Sequence, residues 1–312
     1  MLKAYKYRLY PNEAQKSLMA KHFGHCRFVY NWGLEKKVAA WKESKRGISV
    51  YELANQLPGL KDAEDTKWLS EVNAQSLQQS LLHLDAAFTK FFKKQGRFPK
   101  FKSKYDRQSF SCPQKVEVDF EHNKLWLPKF KQGIRAVFDR EFKGKIKTVT
   151  VSRNAAGNHF ASVLVETTEM EVVAPQPTEN QALGIDLGLK VFATYSDGTM
   201  IANPKHLVKH ERKLKCEQRR LARKQKASSN RAKQKIRVAR VYEKITNSRR
   251  DFLHKVTYEL VCKNQATSLC IEDLGVKSML EESHTNISRA ISDVGWATFR
   301  QFLEYKCRWY GK

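Results

Sequence analysis

The stretch ALGIDLGLKVFATYSDGTMIAN, residues 182–203, decides the fold of the second half of the chain. Apolar residues dominate two short runs, and Ser196-Asp197-Gly198 between the second run and MIAN is typical of a tight turn. The pattern predicts a strand through Asp186, a second strand ending at Tyr195, and a third strand after the turn. Asp186 stands among apolar neighbours, where a buried charge without a partner is costly.

A second acid has the same setting. Glu272 closes the run TSLCIE, residues 267–272, which predicts a buried strand, and Asp273 follows it. Acids at the ends of neighbouring strands are expected to converge on one site. Carboxylate oxygens suit magnesium, and two such ions about 4 Å apart activate water and stabilise the leaving oxygen in phosphodiester cleavage.

The motif GIDLG alone leaves another interpretation open. Sugar kinases and actin-class ATPases also use it, but they follow it with small hydroxyl residues where this chain has Leu189-Lys190. Proteins of those classes are also less basic than this chain. For both reasons, phosphodiester chemistry at the two acids is favoured over the ATPase interpretation.

Charge indicates the partner. The chain carries 58 Lys and Arg against 32 Asp and Glu, a formal net charge of +26, which favours a polyanion as partner. No run of eighteen apolar residues predicts a membrane span, and the N-terminus MLKAYKYRLYPNEAQ lacks the apolar core of a signal peptide. The six cysteines form no CxxC pair, which favours reduced thiols over disulfides or a zinc site.

The pattern along the chain predicts several structural units. Residues 2–10 alternate as a strand, residues 13–92 are helical, and residues 110–173 hold short β-rich runs, which together predict a small β-barrel interrupted by a helical domain. Residues 172–180 read as a linker. Residues 205–264 are predicted to be helical with a break at 227–230, residues 275–290 a loop, and residues 296–310 an amphipathic helix.

Half of the net charge lies in one helical stretch. Residues 205–240 contain fifteen Lys or Arg and two Glu, a net charge of +13. A mixed charge run is usually a solvated helix face, but charge of one sign repels itself unless phosphates neutralise it. The predicted phosphate contacts are Lys205, Lys209, Arg212, Arg219, Arg220, Arg223, Arg231, Lys235, Arg237 and Arg240. They would follow a nucleic-acid backbone without reading bases.

A shorter segment, residues 97–110 (RFPKFKSKYDRQSF), interleaves cations with aromatic residues. Such a segment can stack bases and bind phosphates, although a purely structural loop has the same composition. The nucleic-acid contacts predicted here are Arg97, Lys100, Lys102 and Lys104.

Seven motifs in order resemble the TnpB family, the OrfB-type proteins of bacterial insertion sequences, which look like ancestors of type V CRISPR effectors. They are KAYKYRLYPNEAQ (3–15), CRFVYNWGL (26–34), LQQSLLHLDAAFTKFF (77–92), GRFPKFKSK (96–104), GIDLGLKVFATYSDG (184–198), IEDLGVKSM (271–279) and GWATFRQFLEYKCRWYGK (295–312). The resemblance covers essentially the whole chain.

The resemblance implies an α+β multidomain protein that is an RNA-guided endonuclease of double-stranded DNA. A wedge β-barrel would comprise residues 1–12 and 96–175, a helical recognition domain residues 13–95, and an RNase H-like RuvC nuclease domain residues 176–312. A guide RNA would supply sequence recognition, and the protein would read a short motif beside the target. Residues that fall where the family reads that motif are Asn73, Gln75, Ser76 and Gln79.

The resemblance also assigns Asp186 and Glu272 as the first two RuvC carboxylates and magnesium ligands. The family continues into a zinc ribbon with two CxxC pairs and a third carboxylate, and this sequence shows neither, so weak or absent cleavage is expected of these 312 residues. Asp293 does not match the third position. Three hypotheses remain open: a nuclease, a nuclease-dead RNA-guided repressor, and an inactive truncated transposase. A DDE-type transposase fits the motifs less well. The expected location is the bacterial cytoplasm, on the nucleoid, without a membrane partner.

Overall fold

The computed structural model describes residues 1–168, 172–176 and 181–312. The chain forms two compact units, Met1–Thr168 and Glu169–Lys312. Each unit has its own hydrophobic core and its own sheet. The predicted linker at residues 172–180 lies partly outside the described residues. The predicted fold class, α+β with several structural units, is confirmed.

Seven strands form the antiparallel sheet of the first unit, in the order β2-β6-β7-β1-β5-β4-β3. The strands are β1 (Leu2–Tyr10), β2 (Gln108–Cys112), β3 (Glu117–Asp119), β4 (Lys124–Trp126), β5 (Ile134–Val137), β6 (Lys145–Arg153) and β7 (His159–Glu166). The N-terminal strand pairs with both β7 and β5, so it lies in the middle of a sheet whose other strands follow the helices. The helices interrupt the β-structure as predicted. All seven strands belong to one sheet, whose edge strands are β2 and β3.

Helices separate β1 from β2. They are α1 (Glu13–Ser44), α2 (Val50–Asp62), a 3₁₀ helix (Glu64–Glu71) and α3 (Ala74–Phe92). A capping box starts α1: the Asn12 side chain accepts a hydrogen bond from the backbone N–H of Gln15, and the Gln15 side chain accepts one from the N–H of Asn12. The predicted helical start after Pro11-Asn12 is confirmed.

The helices and the sheet of this unit share one hydrophobic core. Met19 and Phe23 from α1 and Leu77 from α3 pack in the same buried cluster as Val149 of β6 and Val163 of β7. The helical insert and the strands around it therefore fold as one compact unit.

Four strands form the sheet of the second unit, in the order β10-β9-β8-β11. They are β8 (Ala182–Leu187), β9 (Val191–Tyr195), β10 (Met200–Ala202) and β11 (Ser268–Ile271). The three strands predicted from residues 182–203 are confirmed, and Gly198 adopts a φ of +85° in the turn. The fourth strand is parallel to β8. The predicted burial of this last strand is wrong, because β11 lies at the sheet edge and Cys270 is exposed.

Five α-helices complete this unit. They are α4 (His206–Ala222), α5 (Ser229–Tyr258), α6 (Val276–Glu282), α7 (Thr285–Val294) and α8 (Trp296–Tyr310), with a π-helical segment (Glu259–Lys263) after α5. The predicted helix at 296–310 is confirmed, and the helical break lies at 223–228. The predicted loop at 275–290 is wrong. Polar residues weaken the helical pattern there, but α7 buries Ile291 and Val294 in the core, and packing decides its structure.

Candidate nucleic-acid interface and carboxylate pair

Asp186 and Glu272 lie side by side on the second sheet. Parallel pairing of β8 with β11 sets Ile185 opposite Ile271, so the residue that follows each of them in the chain is one of the two acids. Alternation along the strands directs both carboxylates to the same exposed face. Neighbouring strands lie about 4.8 Å apart, a separation that lets both side chains reach one ion.

The turn after β8 is fixed by a close backbone approach. An added Cβ at Gly188 would lie 2.8 Å from the carbonyl oxygen of Val191, which is too close for a real side chain. The glycine that ends GIDLG therefore permits the chain to reverse directly behind Asp186. Ser196 also supports the strand, because its Oγ accepts a hydrogen bond of 3.1 Å from the N–H of Gly184.

The carboxylate pair fits a hard cation. Within the described residues, the carboxylates of Asp186 and Glu272 take part in no hydrogen bond or ion pair, whereas the carboxylate of the neighbouring Asp273 is held by Arg300. No cluster of three or more His, Cys, Asp or Glu side chains occurs in the part of the chain that the structure describes. Magnesium is commonly bound through one or two carboxylates, with water and substrate phosphates in the rest of its octahedral shell, and a carboxylate pair is a donor set of that kind.

The basic helices α4 and α5 form an antiparallel hairpin. Leu214 of α4 packs in one buried cluster with Val238, Val241 and Ile245 of α5. These apolar contacts hold the two helices together along their length. The cations consequently lie around the outside of the hairpin, where solvent or a ligand reaches them.

A cationic cleft of about 330 Å³ lies on this hairpin. We call it the α4–α5 cleft, and it is lined by His210, Lys213, Glu217, Arg237, Arg240, Val241 and Lys244. Its one carboxylate, Glu217, is already engaged by Gln234 at 2.6 Å and by Arg220 at 3.0 Å. The remaining field is positive and suits a phosphate backbone.

The structure divides the predicted phosphate contacts. Arg237 and Arg240 line the α4–α5 cleft. Arg231 has a structural task instead, because its Nη1 donates hydrogen bonds of 2.8 Å to the carbonyl oxygens of Leu221 and Lys224 at the end of α4. Solvent-exposed positions on the hairpin or just before it are Lys205, Lys209, Arg212, Arg219, Arg220, Arg223 and Lys235.

Sequence reasoning did not single out Lys213 and Lys244. Helical spacing would have found them, because 210, 213 and 217 on α4, and 237, 240 and 244 on α5, recur at three and four residues. The sequence did not show that these two helix faces lie against each other and line one cleft.

The predicted segment 97–110 is fixed to α1 at several points, including a hydrogen bond from Arg27 to Gln108 and a ring contact between Phe23 and Phe110. The Asn31 side chain donates to the carbonyl oxygen of Lys102 at 2.9 Å and accepts from its N–H at 2.8 Å. The Lys102 ammonium lies 3.6 Å from the centroid of the Tyr30 ring, and desolvation lowers its pKa. This geometry favours an anchoring role for Lys102. All four predicted contacts, Arg97, Lys100, Lys102 and Lys104, are exposed.

The residues assigned to the adjacent DNA motif surround the start of α3. Asn73 caps this helix by accepting from the N–H of Gln75, and the Gln75 side chain donates to Gln114 at 2.7 Å. Ser76 is 0% exposed and its Oγ contacts the Cys112 sulfur at 3.5 Å, so it does not face a base in this structure. Asn73, Gln75 and Gln79 are at least partly exposed, and their role stays a prediction.

Asp293 is a structural residue. Its carboxylate accepts hydrogen bonds of 2.8 Å from Arg249 and from the backbone N–H of Leu207. It thereby ties α7 to the start of α4 and to α5. In addition, among the described residues no helix is both long and apolar enough to cross a bilayer.

Comparison with protein-family models gives two matches. A model described as "Probable transposase" (OrfB_IS605) matches residues 162–283, and a model described as a helix-turn-helix domain (HTH_OrfB_IS605) matches residues 1–46. In the structure the latter range holds strand β1 and the single long helix α1.

Curated relatives match nearly the whole chain. A "Putative RNA-guided DNA endonuclease" of Streptomyces pristinaespiralis is 38% identical over 312 residues, which cover 99% of this chain and 76% of the relative. A "Putative RNA-guided DNA endonuclease InsQ" of Escherichia coli K12 is 36% identical, covering 99% of this chain and 79% of the relative.

A solved structure shares the fold. The chain resembles one from a cryo-EM structure of a Cas12f1–sgRNA–target DNA complex with a TM-score of 0.54. The match covers 100% of this chain and 88% of the other at 13% identity. At that identity the likeness concerns the fold alone.

Proposed function

The chain belongs to the OrfB/TnpB family of transposon-encoded proteins, and from this premise we propose that it binds a guide RNA and uses it to recognise double-stranded DNA. Two relatives at 38% and 36% identity carry the name "Putative RNA-guided DNA endonuclease". In such recognition, base pairing reads the sequence while the protein holds the backbone.

One observation carries the proposal: the α4–α5 cleft collects cations from two helices on one surface. Lys213, Arg237, Arg240 and Lys244 are all exposed and line the cleft together. Contacts of this kind bind phosphates irrespective of base sequence. They suit a duplex whose sequence is read by pairing within it.

Cleavage is the second part of the proposal. Asp186 and Glu272 would hold magnesium on the exposed face of the second sheet, and that ion supplies activation of water and stabilisation of the leaving oxygen. The residues themselves contribute fixed carboxylates, because β8 and β11 pair in register directly before them. Asp273 would remain with Arg300 and outside the site.

The test uses the protein loaded with a guide RNA and a labelled DNA duplex. We expect guide-dependent binding by the wild type and by the variant Asp186→Asn/Glu272→Gln. Magnesium-dependent cutting, weak as the sequence predicts, is expected from the wild type alone. The variant Asp273→Asn is the matched control and is expected to cut as the wild type does.

Two other outcomes are informative. Guide-dependent binding without cutting by the wild type would assign the chain to the binding-only function, that of an RNA-guided repressor. Duplex binding that ignores the guide sequence would contradict the proposal as a whole.

A further inference from the structure

Four phenylalanine rings form an exposed cluster at the end of α3, which we call the phenylalanine platform: Phe88, Phe91, Phe92 and Phe98. Phe92 is 74% exposed and Phe98 is 47% exposed. A contiguous apolar surface of this kind in a soluble unit usually marks an interaction site.

The platform is built into the fold and held rigid. Phe88 packs against the buried cluster of Tyr30, Leu34 and Leu84. Phe98 meets Phe88 and Phe91 edge-on, with ring centroids 5.5 Å and 5.3 Å apart. These contacts fix the rings before any ligand arrives, which lowers the entropy that binding costs.

The turn after α3 brings the chain back over the rings. Lys94 adopts a φ of +57° and its N–H donates to the carbonyl oxygen of Phe91 at 2.9 Å, while the N–H of Gln95 donates to Lys90 at 2.8 Å. The reversal places residues 97–100 beside the helix end. Phe98 can therefore join rings that precede it by six to ten residues.

The surroundings of the platform are positively charged. Residues 86–105 contain seven Lys or Arg and no Asp or Glu. Within the described residues, none of the cations closest to the rings in sequence takes part in an ion pair; these are Lys90, Lys93, Lys94, Arg97 and Lys100. A second copy of the chain would bring like charges together at a two-fold contact, which disfavours self-association through this surface.

We infer that the phenylalanine platform binds an unpaired segment of the guide RNA. Exposed rings within a positive surface are the combination with which proteins bind single strands, because bases stack on rings while cations contact phosphates. The inference rests on the proposed function. The guide is the favoured occupant since it accompanies the protein throughout, and so keeps the rings covered, whereas DNA is bound only during targeting.

The first experiment measures the affinity of the protein for an unstructured single-stranded RNA of about 12 nucleotides, within the size of known single-strand sites. We expect Phe92→Ala/Phe98→Ala to weaken binding about tenfold or more, since each stacked base contributes on that scale. The salt dependence should be unchanged, because the phosphate contacts remain. Phe92→Leu, which keeps an apolar side chain without a ring, should also weaken binding.

Three controls separate stacking from other causes. Lys93→Ala/Lys94→Ala should reduce the magnitude of the slope of log K against log salt concentration by about one for each lost phosphate contact. Tyr51→Ala removes a similarly exposed ring (76%) beside Glu52 on α2 and should change nothing. An RNA duplex of the same sequence should bind the wild type and the Phe92→Ala/Phe98→Ala variant equally, because its bases are already stacked.

The second experiment identifies the strand. In the guide-loaded protein, unpaired guide nucleotides should be protected from a single-strand ribonuclease, and this protection should disappear in Phe92→Ala/Phe98→Ala. Three results for Phe92→Ala/Phe98→Ala would each overturn the inference. The first is an unchanged affinity for RNA. The others are an affinity lost only for a DNA oligonucleotide, or only for phosphatidylserine vesicles, when these are used as alternative probes. A wild type that never loads a guide would overturn the proposed function itself, whereas loading with unchanged protection in the variant overturns this inference alone.

Discussion

Single residues in this protein take their roles from their neighbours more than from their type. Asp186 and Asp293 both lie on elements that contribute apolar residues to the same core. Asp186 is nevertheless exposed on the sheet, while Asp293 is buried between Arg249 and the N–H of Leu207. Histidines differ in the same way. His159 is 6% exposed at the start of β7 and its ring stacks against Phe23.

The pH dependence of stability is a prediction at this scale. Burial, followed by the nearby charges of Arg153, Lys16 and Arg8, lowers the pKa of His159 to about 4. The unfolded chain, with a histidine pKa near 6.5, therefore binds more protons than the folded chain between these values. The contribution of neutral His159 to the unfolding free energy is fully present above pH 6.5. It falls by about 2–3 kcal/mol as the pH decreases towards 4.

Urea unfolding at several pH values between 7.5 and 4 tests this prediction. We expect the decline in unfolding free energy to be shallower in His159→Gln than in the wild type. The exposed His284 provides the control, since His284→Gln should leave the slope unchanged. An identical slope in the wild type and His159→Gln would contradict the assignment.

At the scale of elements, the α4–α5 hairpin turns a run of charge into a surface. Its apolar seam through Leu214 and Ile245 fixes which helix faces meet. Arg231 closes the connection by donating to the carbonyl oxygens of Leu221, in the last turn of α4, and Lys224, just after it. A cation of the hairpin therefore lines the cleft, caps a helix end, or is exposed elsewhere. Substitutions in these three classes should differ in their effect on phosphate binding.

The cleft residues should govern phosphate binding. We expect Lys213→Ala/Arg237→Ala to weaken binding of the guide-loaded protein to duplex DNA. The slope of log K against log salt concentration should fall in magnitude by about two, one for each lost phosphate contact. The control Arg219→Ala lies about 120° around α4 from Lys213 on the helical wheel and should have a smaller effect. Equal effects of the two variants per removed charge would show that the hairpin acts only through its net charge.

On the scale of the whole molecule, the charge is the dominant property. A net charge of +26 on 312 residues opposes a compact state through self-repulsion. A bound polyanion removes this repulsion, and release of its counterions adds to the affinity. Both compact units carry surfaces suited to nucleic acid, the phenylalanine platform in the first and the α4–α5 cleft in the second.

The protein is accordingly expected to copurify with RNA. Material prepared at low salt should show an absorbance spectrum dominated by nucleic acid, and ribonuclease or about 1 M salt should remove it, since electrostatic contacts are screened at that concentration. Purification at low salt that yields the spectrum of bare polypeptide would contradict this expectation. Deoxyribonuclease serves as the matched treatment and should leave the signal unchanged.

Local pattern determined much of this protein from the sequence alone. Alternation and turn residues in 182–203 predicted three strands, the Asn12 cap marked the start of α1, and residue spacing predicted α8 at its observed bounds. These features succeed because strand alternation, caps and amphipathic helices are written in neighbouring residues. The motifs likewise indicated the family.

Only the tertiary structure decided which distant residues meet. It supplied the pairing of β8 with β11 that the expected convergence of Asp186 and Glu272 requires, joined Lys213 to Arg237 across two helices, and buried Ser76. It also formed α7, whose local sequence predicted a loop. The physical reason is the same in each case: these outcomes depend on packing between segments far apart in the chain, and the free energy of that packing is absent from any local window of sequence.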